Sequence, residues 1–126
     1  MSKQIISTPK APAAIGVYSQ AVRVGNTIWV SGQIPLDPAT KELVTGGIEA
    51  QVRQVFENIK AIVGAAGASL DEVVKATVFL TNLSHFALVN NIMAEYFREP
   101  YPARAAVGVA ALPRGAEIEV ECIVAL

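Results

Sequence analysis

Apolar residues recur at three- and four-residue steps through Ile48, Val52, Val55, Phe56, Ile59, Ile62 and Val63, with Arg53, Glu57 and Lys60 on the opposite side. That spacing predicts an amphipathic helix, ended by Gly64 and Gly67. A second stripe, Phe86, Val89, Met93 and Phe97, predicts a helix from about Ser84 that stops before Pro100. Elsewhere the period falls to two. Ile118, Val120, Cys122 and Val124 alternate with Glu117, Glu119 and Glu121, which predicts a strand with a row of carboxylates on one face. Further strands are predicted at residues 4–7, 21–24, 27–31 and 73–80, with Gly25-Asn26 as the tight turn between the second and third. The apolar run around Arg104 reads as one more strand, with turn punctuation after it at Leu112-Pro113-Arg114-Gly115.

Three strands, a helix, a strand, a helix and two strands make an α+β chain, with two helices on one face of a mostly antiparallel six-stranded sheet and the other face open. At 126 residues it is one domain, residues 1–126. Hydrophobic residues make up 52% and charged residues 17%, more apolar surface than a lone small domain easily hides, so a cyclic homo-oligomer with sites at its seams is expected. The net charge of -1 offers no basic footprint for a phosphate backbone, so nucleic acid is not the expected partner. No membrane span or targeting segment is read from the sequence, and a cytoplasmic location is expected. The one cysteine, Cys122, falls in the apolar alternation and reads as a buried small hydrophobe. His85 is the only histidine and reads as a surface residue, so neither a zinc cluster nor a triad is expected.

The chemistry centres on Arg104 and Glu119. If their strands pair antiparallel, the two side chains approach across the sheet or around its edge. A guanidinium fork grips a carboxylate bidentately, and a carboxylate beside that grip can hold or deprotonate a water. Together they suggest hydrolysis of a small carboxylate-bearing substrate; a structural Arg104 to Glu119 salt bridge is the plainer alternative. Asn90, one turn after Phe86 at the edge of the apolar stripe, needs a partner, as a structural bond or as a ligand contact.

Pro102-Ala103-Arg104, Val107, Leu112-Pro113 and Ile118-Glu119-Val120-Glu121 resemble the C-terminal signature of the Rid family, also called YjgF. The likeness extends to Ala13–Gln20, Val30–Pro35, Gln51–Ile59 and Val73–Leu80, in order and over nearly the whole chain. The resemblance implies a chorismate-mutase-like homotrimer with pockets between subunits. It also implies cofactor-independent hydrolysis of the enamines and imines released by pyridoxal-phosphate dehydratases, 2-aminoacrylate (as 2-iminopropanoate) and 2-iminobutanoate, to 2-keto acids and ammonia. On that basis Arg104 would hold the substrate carboxylate and Glu119 would position the attacking water, with Arg104 favouring the ionised form of Glu119. Tyr18, Ser31, Gly32, Asn90 and Pro113 would line the pocket, and backbone groups at Gly32 and Ala106 would complete the contacts. Neither a cofactor nor a metal is implied.

Two departures bear on the resemblance. Ala106 stands where members often carry cysteine, and the compact Glu99-Pro100-Tyr101 segment could reshape the pocket rim. Two other readings use the same residues: a non-catalytic trimer that binds 2-keto acids or amino acids in a regulatory role, and a nucleic-acid-directed activity, against which the charge balance and the lone histidine argue.

Overall fold

In the computed structural model, which describes residues 2–126, the chain opens with β1 (Gln4–Ile6) and a long loop, followed by β2 (Ala21–Val24) and β3 (Thr27–Gln33). Gly25, at φ 59°, makes the turn between the last two, a left-handed conformation that costs a residue without a side chain little. β3 runs two residues further than its sequence pattern suggests and takes in Gly32 and Gln33.

Helix α1 (Gly47–Ala65) buries Val52, Val55, Phe56, Ile59, Ile62 and Val63, the stripe expected for it, against the sheet. Ser69 and Glu72 form a capping box that leads into β4 (Val73–Leu80). Helix α2 (Phe86–Tyr96) buries Val89, Ile92 and Met93, with Phe97 buried just beyond its end. The helices lock together through Phe56, whose ring centroid lies 5.5 Å from that of Tyr96 and 5.8 Å from that of Phe97, the latter edge-on. Burial of a ring of this size contributes about 1.5–3 kcal/mol, and it fixes the α2 face on which the site depends.

β5 (Ala103–Gly108) and β6 (Ile118–Ala125) complete a mixed sheet of order β1-β2-β3-β6-β4-β5, antiparallel except for the parallel pair β4 and β5. Both helices cover one face, as expected from the sequence. The neighbour relation of the last two strands is not as expected. β4 stands between β5 and β6, because α2 is the crossover of a β-α-β unit and returns β5 parallel to β4.

That topology decides which way the site residues point. Arg104, Ala106 and Gly108 pair with Ala76, Val78 and Leu80, all buried beneath the helices, so they belong to the helix-covered face. Glu119 pairs with Phe79, on the alternate row, and belongs to the open face. Arg104 and Glu119 therefore lie two strands apart on opposite faces of the sheet, and one chain cannot bring them together.

Candidate functional site

The predicted site residues form two separate clusters. The first lies beside α2, where Arg104 rises from the edge strand β5. One terminal nitrogen of its guanidinium donates to Asn90 Oδ1 at 2.8 Å and lies 3.6 Å from Met93 Sδ, and its Cζ lies 4.7 Å from the centroid of the Phe86 ring. A cation held over an aromatic face gains about 0.5–1 kcal/mol at an exposed site, enough to choose a rotamer. Arg104 and Asn90 border a cleft of about 330 Å³ together with Met93, Phe97, Tyr101 and Pro102, so the compact segment before β5 does form part of the rim. Asn90 is exposed, and its partner is Arg104 itself. Among the described residues no carboxylate pairs with Arg104, which disposes of the salt bridge to Glu119 within the chain.

The second cluster opens on the far face, where Tyr18, Ser31, Gly32, Pro113, Glu119 and Glu121 line a shallow cleft. A Cβ built on Gly32 would stand 2.0 Å from Glu119 Oε2 and 2.9 Å from its Cδ, so the missing side chain is the space in which the carboxylate lies. Burial raises the Glu119 carboxyl above its ordinary value, and the Glu121 charge adds to that. The expected lowering by Arg104 does not arise within one chain, since the arginine is on the other face. Ala106 follows Arg104 on the same face of β5 and is exposed.

Residues that the sequence patterns leave silent hold the second cluster in shape. Gln20, only 3% exposed, donates through Nε2 to the carbonyls of Thr8, Ala11 and Pro12 at 3.1, 3.3 and 2.7 Å and accepts from Thr8 N at 2.7 Å. Its own carbonyl accepts from Ser31 N at 2.9 Å, and Ser31 Oγ donates to the Ser19 carbonyl at 2.5 Å. These bonds pin the loop carrying Tyr18 against β3. On the other side Gln51 of α1 binds Glu117 twice: its Oε1 accepts from Glu117 N at 2.9 Å and its Nε2 donates to Glu117 Oε2 at 3.2 Å. Glu117 therefore precedes β6 and leaves the row of open-face carboxylates to anchor the turn that presents Pro113. No periodicity announces either glutamine; a buried amide is recognised only by the backbone groups it meets.

Cys122 is buried, and burial pushes its thiol up to about 12, which removes it from nucleophilic chemistry. Among the described residues no group of three or more His, Cys, Asp or Glu side chains is placed to hold a metal ion, and no helix is long and apolar enough to cross a membrane. The chain thus offers a cation fork in one cleft and a carboxylate of raised proton affinity in another.

The chain is similar to known proteins over nearly its whole length. The sequence profile of the family described as Endoribonuclease L-PSP matches residues 8–126. The 2-iminobutanoate/2-iminopropanoate deaminase of Dermatophagoides farinae is 51% identical over 124 residues, covering 98% of this chain and 97% of the relative. Among solved structures, RidA from the Antarctic bacterium Psychrobacter sp. is 58% identical with a TM-score of 0.94, over 98% of this chain and 99% of that one. Escherichia coli TdcF with bound serine is 43% identical with a TM-score of 0.92, over 98% of each chain.

Proposed function

This chain belongs to the endoribonuclease L-PSP family, the Rid or YjgF family that its motifs resemble, and from that membership we propose that it is a cofactor-independent enamine/imine deaminase. Its substrates are 2-iminobutanoate and 2-iminopropanoate, the latter formed from 2-aminoacrylate, and its products are 2-keto acids and ammonia. The reading is supported by relatives of that name at about half identity over nearly the full chain. The observation that carries it is Arg104: an exposed guanidinium steadied by Asn90 and Phe86, with no carboxylate of the described chain to neutralise it. A fork held in that way is preorganised for the carboxylate of a small substrate.

In the reaction, water adds to the imine carbon and the C=N π electrons move to nitrogen. Glu119 takes a proton from the water and delivers it to nitrogen; the resulting carbinolamine then breaks its C–N bond, its hydroxyl proton passing to the departing nitrogen, so that ammonia leaves and the oxygen becomes the ketone. A raised carboxyl suits both halves of this transfer, since it accepts a proton more readily than an ordinary carboxylate and can return it to the nitrogen. The electrophile is already activated, so orientation of water and substrate is the main service required.

Because Arg104 and Glu119 lie on opposite faces, we propose that the complete pocket forms between subunits of a homotrimer, with β5 of one chain set against the Tyr18, Gly32 and Glu119 cleft of the next. The open face suits such packing: Trp29 is 47% exposed and Val107 41% exposed. The enzyme works on a soluble metabolite in the cytoplasm, without nucleic acid or membrane. The test is the decay of imine absorbance while a threonine dehydratase consumes threonine, followed with this protein, without it and with Arg104→Ala. Acceleration by the wild type alone supports the reading; an unchanged decay with wild type rejects it and favours a binding trimer.

A further inference from the structure

We propose that Gly32 is a positioning residue for Glu119: the vacancy at its Cβ is the seat that holds the carboxylate over β3, and its part in the reaction is exerted through that carboxylate. The proposal rests on the reading of Glu119 as the group that holds the water. At Gly32 a Cβ would meet Oε2, Cδ and Cγ of Glu119 at 2.0, 2.9 and 3.2 Å. No contact of the first two lengths can persist, so one partner must move. The colliding atoms are the far end of a rotatable side chain, and Gly32 does not need a positive φ. An added methyl group therefore leaves the backbone standing and turns the carboxylate out of its seat.

The same contact explains why Glu119 is half-buried when Glu121, two residues along the same face, is exposed. Other charged or titratable groups on neighbouring elements are Tyr18 in the N-terminal loop, Arg114 next to Pro113 and Lys75 on β4, which pairs with Ile123. β3 itself contributes none at the seat, where Ser31 and Gly32 stand. Gly32 thus shields the carboxylate by yielding its own volume.

The experiment compares Gly32→Ala, Glu119→Ala and the double variant, as full chains, for kcat and KM on 2-iminobutanoate and for thermal midpoint. Gly32→Ala is expected to lower kcat by about a hundredfold or more, the scale of a lost general base, with KM changed by less than about threefold. The double variant is expected to be no slower than Glu119→Ala alone, because the three atoms nearest the added methyl group are then gone. Wild-type kcat in Gly32→Ala, or a loss that multiplies in full on Glu119→Ala, overturns the inference and assigns Gly32 a direct backbone contact with the ligand. Should Gly32→Ala fail to fold, the double variant must fold; a double that stays unfolded is equally contrary. If the wild type turns over no imine, carboxyl carbon NMR still decides: Glu119 should titrate above the ordinary glutamate range in wild type and return toward it in Gly32→Ala. An unchanged titration would overturn the seat whatever the substrate.

Discussion

Gln20→Met removes one amide while keeping the length of the side chain, and its consequences can be worked from four hydrogen bonds. Thr8 N loses its only side-chain acceptor, and the carbonyls of Thr8, Ala11 and Pro12 lose a shared donor. Thr8 and Ala11 are buried, whereas Pro12 is half-buried and its carbonyl can turn to water. A buried polar group left unpaired costs about 1–3 kcal/mol, but the N-terminal loop can relieve part of this by peeling away, so the net loss should be about 2–4 kcal/mol. At roughly 4 °C per kcal/mol for a chain of this size, the midpoint at fixed protein concentration falls by about 8–16 °C. Amide exchange across residues 8–20 should quicken first, and because that loop carries Tyr18, KM for the imine should rise. Calorimetry and exchange at Thr8 check the argument; a midpoint within about 2 °C of wild type and a Thr8 amide still protected would refute it.

Arg104→Ala should lower kcat/KM by about 10- to 150-fold, the equivalent of the about 1.5–3 kcal/mol of a charge-assisted bond, with Arg104→Lys intermediate because it keeps the charge and loses the fork; steady-state kinetics measure both. Glu119 is active as a base only when ionised, so activity should fall as pH drops through its raised value, and Glu121→Gln, by removing a like charge, should move that acid limb to lower pH in the kcat/KM profile. The sign for stability is opposite: a carboxyl raised on folding contributes most when protonated, and that contribution is lost as pH rises through the folded value. Cys122, buried and with its thiol pushed up to about 12, should resist iodoacetamide in the native protein and react at once in denaturant, as mass spectrometry would record.

How much was legible depends on the range of the interaction. The α1 stripe from Val52 to Val63 and the β6 alternation from Ile118 to Val124 are local, set by the helix and strand periods, and both appear where the pattern puts them. The Gly25-Asn26 turn is equally local. The insertion of β6 between β3 and β4 is not, since it depends on which strands bury the most apolar surface against two helices. From that one non-local choice follows the error about Arg104 and Glu119, read as neighbours and found on opposite faces. Glu117 misled in the same way, sharing the parity of Glu119 but diverted by Gln51 from an element 66 residues away. Gly32 enters through the resemblance as a pocket contact, but the sequence does not say that the group nearest it is the chain's own Glu119.

The most direct test of a hydrolytic site shared between subunits mixes two impaired variants. Arg104→Ala and Glu119→Ala chains, unfolded together in equal amounts and refolded, assemble at random, and in a cyclic trimer about a quarter of the seams then unite an intact Arg104 with an intact Glu119. Imine decay at about a quarter of the wild-type rate, from parents that each retain about a tenth of it or less, is the result expected. A mixture verified by mass to contain hybrid trimers yet no more active than its parents would contradict the account.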